Sequence, residues 1–528
     1  MRSRTGTWTG TARGALRAAR NAGMLTPVRP DRALRIPLQF RRFGPTPAAI
    51  GAVAALRRPG GTALIDDRGP MTYEDLERHA RALASTLAER LAGDVPIGIL
   101  CRNHRGFVQA LLAASRLGTD VVPLNTDFSA RQLGEVLRRE GVDLLVHDAE
   151  FGDVVEASSF TGDRIVTDEL QDVVAATEPV APKPHRHSRI VVLTSGTTGT
   201  PQGARTEPSP LMLARSSLSH LARVPLRSGE PMVIAPPLFH VLGLGYLTMG
   251  MGLGMPLVLS RRFDPVAVLE AIERHRAQAL VAVPVMLQRI LRARTSENLD
   301  SLEVVVSGGS ALHPHLSTTF MDTFGDILHN VYGATETGWA SIATPEDLRA
   351  APGTVGHPAH GLTVRVLDGD GRVTPPGETG EIHTSGAIRF TGYTGGGRKP
   401  VRDGLVGTGD LGHFDAAGRL FVDGRADDMI VSGGENVFPG EVEDVLSGHP
   451  AVAEVAVTGV DDAEFGRRLA AYVVLADGGE VTADALKAHV KQNLARYKVP
   501  RDVHFVTALP RTTTGKVRKR DLAPPPGR

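Results

Sequence analysis

The sequence predicts an α/β protein with three parts: a large N-terminal domain of mostly parallel sheets packed with helices, a small β-barrel subdomain, and a small mobile C-terminal α/β domain. Two changes in the pattern of apolar residues along the sequence predict this division. Apolar runs of strand length alternate with amphipathic runs up to about residue 307, and short runs broken by Gly and Pro follow residue 353. Alternation resumes after residue 424, so we expect an extension at 1–60, a large domain at 61–424 and a small domain at 425–528.

Each element of the large domain follows from its residue pattern. Thr72 is placed to cap a helix whose leucines at 76, 83, 87 and 91 lie on one face. Because strands alternate with helices from there on, the sheet should be parallel and covered on both faces. The further predicted elements are 95–100, 107–117, 120–124, 129–139, 142–146, 231–235, 265–275, 279–283, 286–294 and 302–307.

The first sixty residues are rich in arginine, and Asp31 is their only acid. Residues 11–25 predict a weakly amphipathic basic helix, which either contacts an anionic membrane surface or belongs to a solvated extension that packs on the body. The composition favours the second interpretation. The uncharged stretch 241–259 is long enough for a membrane span, but its five glycines and Pro256 favour a buried helix followed by a strand.

Composition excludes several classes of function. The formal net charge is +1, so no overall field attracts nucleic acid. The single cysteine, Cys101, excludes an intramolecular disulfide and a cysteine-built metal site. With no signal-peptide core at the N-terminus, the chain is predicted to be cytoplasmic, with weak contact to the inner face of a membrane through the basic helix as an added possibility. The oligomeric state, monomer or homodimer, stays open.

The segment Leu-Thr-Ser-Gly-Thr-Thr-Gly-Thr-Pro-Gln-Gly-Ala at 193–204 is suited to binding a triphosphate. Its glycines allow exposed backbone N–H groups, and its hydroxyls add donors. No Lys-Ser or Lys-Thr follows the glycines, so it is not a P-loop. By itself it could equally be an ordinary surface loop.

Three further segments carry groups that could act on a nucleotide. Tyr-Gly-Ala-Thr-Glu-Thr-Gly at 332–338 offers a ring, a hydroxyl and a carboxylate, although it could also be a helix N-terminus. Thr-Gly-Asp at 408–410 offers a carboxylate for a vicinal diol, or is simply a turn. Lys516 ends the segment Pro-Arg-Thr-Thr-Thr-Gly-Lys, in a chain where lysine is scarce.

Together these segments resemble the motifs of the adenylate-forming superfamily, in its acyl-CoA synthetase branch, over about residues 70–522. The resemblance implies that Lys516, Glu336 and Thr335 are catalytic, that Glu336 binds Mg²⁺, and that Asp427 is the hinge of the small domain. The residues that it implies for ATP are Thr194, Ser195, Gly196, Thr197, Thr198, Gly199, Gln202, Gly309, Ser310, Tyr332, Asp410 and Arg425. Those that it implies for the acid pocket are His240, Val241, Gly245, Gly308 and Gly333, and those for the CoA channel are Gly433 and Gly434.

Two positions depart from the superfamily pattern. Gln202 stands where the phosphate loop usually has lysine, and the aromatic residue usual before Thr408 is missing. A charge-assisted hydrogen bond contributes about 1.5–3 kcal/mol. Its loss would weaken the use of ATP roughly tenfold to a hundredfold without abolishing it.

The resemblance implies an enzyme that activates a carboxylic acid with ATP as an acyl-adenylate and then transfers the acyl group to CoA, releasing AMP. The apolar segment 281–286 favours a medium- or long-chain fatty acid, and hence a role in lipid metabolism. The absence of an acid after Phe239 and His240 disfavours an amino acid. The alternatives are an aryl-CoA ligase, a ligase that loads a carrier protein, and a nucleotide-binding homologue without catalysis.

Overall fold

In the computed structural model the chain is an α/β protein, as the sequence predicts. The structure describes residues 8–91, 93–177, 183–194, 201–207, 210–293, 297–386, 388–432, 435–462 and 466–522. Within these ranges no helix is long and apolar enough to cross a membrane.

The arginine-rich N-terminal segment folds into four helices: α1 (Trp8–Asn21), α2 (Pro30–Ala33), α3 (Ile36–Phe43) and α4 (Pro47–Arg57). The predicted basic helix is confirmed as α1, with both ends shifted toward the N-terminus. Ala18 and Ala22 are buried, because their small side chains allow α1 to pack closely on the helix Pro210–Arg223. The segment is therefore docked on the body of the protein.

Residues 62–176 form the first alternation of strands and helices. Its elements are β1 (Thr62–Asp66), β2 (Gly69–Thr72), α5 (Tyr73–Arg90), β3 (Ile97–Leu100), α6 (Arg105–Leu117), β4 (Val121–Pro123), α7 (Ala130–Glu140), β5 (Leu144–His147), α8 (Gly152–Ala157), β6 (Asp163–Val166) and α9 (Leu170–Ala176). Thr72 caps α5 as predicted, since its side-chain oxygen accepts the Asp75 N–H. Strands β4, β3, β5 and β6 pair in that order as a fully parallel sheet.

The next part of the chain supplies the centre of the largest sheet. Its elements are β7 (Val192–Thr194), β8 (Gln202–Glu207), α10 (Pro210–Arg223), β9 (Met232–Ile234), α11 (Val241–Leu253), β10 (Leu257–Leu259), α12 (Pro265–His275), β11 (Ala279–Ala282), α13 (Pro284–Ala293) and β12 (Val304–Gly308). The uncharged stretch is the mostly buried helix α11 followed by the buried strand β10, as predicted. Gly254 ends α11 with a φ of 67°, a conformation that favours glycine.

Antiparallel pairs then complete the large domain. The elements are α14 (Pro314–Phe324), β13 (Leu328–Ala334), β14 (Gly338–Ala343), α15 (Pro345–Ala350), β15 (His357–Pro358), β16 (Val364–Leu367), β17 (Gly380–Thr384), β18 (Arg389–Tyr393), β19 (Val401–Arg402), β20 (Leu405–Phe414) and β21 (Leu420–Arg425). The largest sheet has nine strands in the order β15-β14-β13-β12-β11-β9-β10-β1-β2, and it is parallel from β13 through β1.

Two smaller antiparallel sheets border the nine-stranded sheet. One joins β16, β17, β20 and β19, with β21 paired to β20, where the sequence predicts hairpins. The other joins β18, β8 and β7. These sheets carry side chains from distant parts of the sequence to the carboxyl ends of β12 and β13.

The C-terminal part has its own apolar cluster, which includes Val442, Leu446, Leu486 and Val490. Its elements are β22 (Ile430–Ser432), β23 (Glu435–Val437), α16 (Pro439–Ser447), β24 (Val452–Asp462), β25 (Gly466–Leu475), α17 (Ala483–Asn493) and β26 (Asp502–Phe505). A separate core is what a small independent unit requires. The boundary predicted near residue 425 and the mobility of this part stay predictions.

Candidate active site

The site lies beyond the carboxyl ends of parallel strands β12 and β13, where open α/β sheets commonly bind ligands. Gly308 ends β12 beside Val331, and a Cβ at Gly308 would lie 2.6 Å from the Val331 carbonyl oxygen. Gly309 follows with a φ of 82°, and a Cβ there would lie 3.6 Å from His240 Cε1. The glycines therefore let the end of β12 approach both β13 and the start of α11.

Residues 332–338 form a tight connection between the antiparallel strands β13 and β14. The alternative interpretation of this segment as a helix N-terminus is wrong. A Cβ on Gly333 would overlap the carbonyl oxygen of Gly338, so the two strands can approach this closely only because Gly333 has no side chain. The connection presents the half-buried Thr335 and Glu336 at the sheet end.

Tyr332, Asp410 and Arg425 meet at one point although they belong to three strands. The Tyr332 hydroxyl donates to Asp410 Oδ2 at 2.7 Å, and Arg425 Nη1 donates to Asp410 Oδ1 at 3.3 Å. Burial raises the pKa of Asp410, and these two donors offset part of that rise. A carboxylate has more acceptor sites than these two bonds use, so Asp410 can still accept hydroxyl groups of a sugar.

Glu336 is oriented by a residue that the sequence analysis missed. The hydroxyl of Tyr393, the last residue of β18, donates to Glu336 Oε1. This bond and burial raise the pKa of Tyr393, with burial the larger cause. The chain has only six tyrosines, so the scarcity of the residue type is the signal that would have marked Tyr393.

Lys516 lies in the same cleft, carried there by a tight loop. A β-bridge between Arg511 and Val517 and a backbone hydrogen bond from the Thr512 N–H to the Lys516 carbonyl oxygen close the loop. Gly515 packs so closely on the start of α13 that a Cβ there would lie 2.6 Å from Val285 Cγ1. Surrounding protein lowers the pKa of the Lys516 ammonium, while the charges of Asp410 and Glu336 favour its protonated form.

The large domain binds this loop, residues 511–517, which we call the lysine loop, through two polar contacts. The Thr513 N–H donates to Asp127 Oδ2 at 2.9 Å, and the Thr513 hydroxyl donates to Asn125 Oδ1 at 3.2 Å. Nearly four hundred residues separate these partners in sequence, and no local pattern predicts the contact. The loop therefore rests against the segment that follows β4.

Only the two ends of the predicted phosphate loop can be described. Thr194 and Gln202 pair across β7 and β8, and the Thr194 hydroxyl donates to the Gln202 carbonyl oxygen at 3.1 Å. The Gln202 side chain lies next to Gly395. The predicted ligands Ser195, Gly196, Thr197, Thr198 and Gly199 lie outside the described residues, as do Gly433 and Gly434 of the predicted CoA channel.

The predicted acid-pocket residues surround the start of α11. His240 caps the helix, and its Nδ1 accepts the Leu242 N–H at 3.4 Å. Burial, assisted by the nearby charge of Lys516, lowers the pKa of His240 to about 4, so the imidazole is neutral near pH 7. Val241 and Gly245 are half-buried, and the space beside Gly245 is open.

The last two predicted residues lie at the edges of the site. Ser310 is half-buried and follows Gly309. Asp427 accepts from Arg425 Nε at 2.8 Å, so the predicted hinge residue is tied to the residue that contacts Asp410. Its role as a hinge stays a prediction.

A cavity of about 320 Å³ opens beside the lysine loop. Thr513, Thr126 and Met286 line it, as do Arg102, Arg261 and Arg262. Arg102 and Arg262 both pair with Glu150, and Arg261 pairs with Asp67, so a carboxylate already pairs with each of the three guanidinium groups.

Comparison with known proteins gives the family. A model of the AMP-binding enzyme matches residues 52–394, and a model of the AMP-binding enzyme C-terminal domain matches residues 441–516. The chain belongs to the AMP-binding enzyme family. The predicted resemblance to adenylate-forming enzymes is therefore confirmed.

Individual relatives support the same assignment. The chain is 34% identical to a feruloyl-CoA synthase from Amycolatopsis sp, over 92% of this chain and 97% of the relative. It is 30% identical to a fatty acid–[acyl-carrier-protein] ligase from Streptomyces coeruleorubidus, over 89% and 94% of the two chains. The solved o-succinylbenzoate CoA synthetase from Bacillus subtilis, in complex with its acyl-adenylate intermediate, superposes with a TM-score of 0.80 at 30% identity, over 89% and 97%. The predicted enzyme class, an AMP-forming acid–thiol ligase, is confirmed.

Proposed function

We propose that this AMP-binding enzyme converts a carboxylic acid, ATP and CoA into acyl-CoA, AMP and pyrophosphate through an acyl-adenylate. One observation carries the proposal. Lys516 comes from the end of the chain, yet the loop that carries it reaches the site: Gly515 packs on Val283, the residue that Gly309 also approaches. The charges of Asp410, Arg425 and Glu336 all act on the pKa of Lys516. A mobile cation at this point suits the charge that develops on an α-phosphate during adenylation.

In the first step a carboxylate oxygen of the acid attacks the α-phosphorus of ATP, and the bond to the pyrophosphate oxygen breaks. Tyr332 presents a ring face to the adenine, and Asp410, oriented by Tyr332 and Arg425, accepts the ribose hydroxyls. Lys516 and Thr335 stabilise charge on the α-phosphate. Because the His240 imidazole at the pocket entrance is neutral, its charge neither attracts nor repels the carboxylate of the substrate acid.

Mg²⁺ fits this site together with ATP. Glu336 provides one carboxylate, and its Oε1 oxygen accepts the Tyr393 hydroxyl. Mg²⁺ in nucleotide sites typically uses one or two carboxylates, phosphate oxygens and waters. When bound, the ion would neutralise phosphate charge, while Tyr393 keeps Glu336 directed at it.

In the second step the CoA thiol sulfur attacks the acyl carbon, the bond to the phosphate oxygen breaks, AMP leaves, and the thiol proton passes to solvent. The relatives support CoA as the acceptor, since they include a feruloyl-CoA synthase and an o-succinylbenzoate CoA synthetase. Asp427 would release its contact with Arg425 as the small domain turns between the steps. A carrier-protein acceptor is the alternative, which the Streptomyces relative's name also suggests.

A fatty acid and an aryl acid are the two candidate substrate classes. The buried segment at β11 and the open space at Gly245 support an apolar body for the acid. The names of the relatives point to both classes, and so they do not choose between them.

The test is mass spectrometry of the products after the protein is incubated with ATP, Mg²⁺, CoA and a panel of alkyl and aryl acids. We expect AMP and an acyl-CoA from at least one class. Acyl-adenylate without thioester would indicate a carrier protein as acceptor. Nucleotide binding with no product from any acid would support the non-catalytic alternative and contradict the proposal.

The N-terminal helices favour a second, additional role in contacting an anionic membrane surface. Five of the ten exposed large apolar side chains in the described ranges lie between residues 16 and 40, in a segment where Asp31 is the only acid among many arginines. Leu34 and Leu38, flanking Arg35, are 78% and 54% exposed. Exposed apolar groups beside arginines are typical of interfacial helices.

Vesicle sedimentation tests this contact. The full-length protein should pellet with vesicles that contain phosphatidylglycerol and not with pure phosphatidylcholine. A Leu34→Ser/Leu38→Ser variant should pellet at least threefold less. The matched control Val373→Ser/Val401→Ser changes two equally exposed residues far along the chain and should bind as wild type. Equal binding by both variants would contradict the role.

A further inference from the structure

We propose that the acid pocket recognises an oxygen atom at the end of the acid remote from its carboxyl group. The inference rests on the proposed ligase function and concerns the substrate class. Three residues carry it, and we call them the polar pocket cluster: His220, Tyr246 and Trp339. Each belongs to an element that also carries a predicted pocket residue or packs directly on one.

The polar pocket cluster lies directly behind the predicted acid pocket. Tyr246 follows Gly245 on α11. Trp339 pairs with Gly333 across β13 and β14. A ligand that enters beside these glycines therefore extends toward the cluster.

Ring contacts join the three members of the cluster. The Tyr246 hydroxyl and His220 Nε2 are 2.8 Å apart, and their ring centroids are 5.5 Å apart in an edge-to-face arrangement. The rings of His220 and Trp339 have centroids 5.3 Å apart. These contacts fix the orientation of all three side chains at one place.

Strand register places Trp339 on the sheet face that α11 covers. Trp339 pairs with Gly333, and Gly308 pairs with Val331, two residues earlier on β13. Paired residues project from the same face of a sheet, and a Cβ at Gly308 would lie 3.6 Å from Leu242 of α11. Trp339 therefore lies on the side of the sheet where α11 packs.

Two polar atoms of the cluster are buried without a hydrogen-bond partner among the described residues: His220 Nδ1 and Trp339 Nε1. His220 is 1% exposed. A buried polar atom without a partner destabilises the fold, because it loses its hydrogen bonds to water. Two such atoms on adjoining rings indicate that a bound molecule supplies the missing bonds.

The chemistry of the cluster defines that molecule as a hydrogen-bond acceptor. Burial, with a smaller effect of His329, lowers the pKa of His220 to about 3, so the ring is neutral and shares one hydrogen bond with Tyr246. In either tautomer the pair keeps one further N–H or O–H donor. The Trp339 indole is a donor only. A phenol, ether or carbonyl oxygen satisfies these donors, and a hydrocarbon tail does not.

The test compares matched acids that differ by one oxygen. We would measure kcat/KM for acyl-CoA formation with 4-hydroxycinnamic and cinnamic acid, 4-hydroxybenzoic and benzoic acid, and 8-hydroxyoctanoic and octanoic acid. Leaving buried donors without a partner carries a penalty of at least tenfold in specificity. We therefore expect at least one pair to favour the oxygen-bearing acid by tenfold or more.

Two conservative variants connect that preference to the cluster. Tyr246→Phe and Trp339→Phe should each lower kcat/KM for the preferred acid at least fivefold more than for its partner without the oxygen. Tyr497→Phe, an exposed tyrosine elsewhere, should change neither value. Activity with the less polar acid shows that each variant is folded.

The outcomes separate this inference from the proposed function. Equal or better use of the acid without the oxygen in every pair would overturn the inference while leaving the ligase function intact, since water would then satisfy the cluster. An unchanged preference in both variants would also overturn it. Acyl-CoA from no acid at all would overturn both.

Discussion

The contact between the lysine loop and the large domain should control the first half-reaction alone. Asp127→Ala removes the carboxylate that accepts the Thr513 N–H at 2.9 Å. Hydrogen bonds to charged groups contribute about 1.5–3 kcal/mol, and the exposure of Asp127 places this one at the lower end. A loss of about 1.5 kcal/mol in docking of the loop predicts a roughly tenfold slower adenylation.

The assay is single-turnover kinetics of the two half-reactions. Pyrophosphate release from acid and ATP reports adenylation, and acyl-CoA formation from a synthetic acyl-adenylate and CoA reports thioester formation. In Asp127→Ala the first rate should fall about tenfold and the second should not fall. Asp127→Asn keeps an acceptor and should lose less. Asp370→Ala, which removes an exposed hairpin aspartate that contacts Arg372, is the matched control.

An equal effect of Asp127→Ala on the two half-reactions would refute this reasoning. If Asp127→Ala slowed both half-reactions equally, the contact would support the fold and not the position of Lys516. If it slowed neither, the loop would reach the cleft without this bond.

Three further predictions concern the cleft and its supports. Gln202→Lys restores the usual loop lysine and should lower KM for ATP about tenfold, because one charge-assisted bond contributes about 1.5 kcal/mol at the lower end of its range; an unchanged KM would show that other groups already replace it. Tyr393→Phe removes the hydroxyl bound to Glu336 and should raise the Mg²⁺ concentration for half-maximal rate severalfold, with KM for the acid unchanged. The His313 imidazole donates from Nδ1 to the Asp444 carboxylate of α16, across the two parts of the chain. Although burial lowers the pKa of His313, Asp444 and Glu443 outweigh burial and raise it. Docking is therefore stabilised below the ordinary histidine pKa of about 6.5 and weakened as pH rises through the raised pKa. Adenylation should therefore decline on the alkaline side, and His313→Gln should flatten that part of the pH profile.

Much of the fold follows from local patterns. Apolar runs of four or five residues predict the parallel strands, because helices cover both faces of the sheet. The uncharged stretch at 241–259 is predicted correctly as a helix and a strand, since its glycines and Pro256 oppose a membrane span. The interpretation of residues 332–338 as a helix start is wrong, because the close approach of Gly333 to Gly338 is a property of strand pairing that no local pattern reveals.

The site is predictable only where its motifs are contiguous. Tyr332, Glu336 and Asp410 stand in recognisable segments, and the structure brings them together. Tyr393 and Asp127 contribute through contacts between segments far apart in sequence. The polar pocket cluster comes from three separate elements, so its unpartnered atoms become visible only once the chain is folded.

Oxygen transfer from the acid tests the central claim most directly. The protein is incubated with ATP, Mg²⁺, CoA and an acid that the panel identifies as substrate, labelled with ¹⁸O in both carboxyl oxygens. If the acid attacks the α-phosphate and CoA then displaces AMP, one ¹⁸O appears in AMP and the other stays in the thioester. Unlabelled AMP, or label in inorganic phosphate together with ADP, would contradict an acyl-adenylate and the role assigned to Lys516.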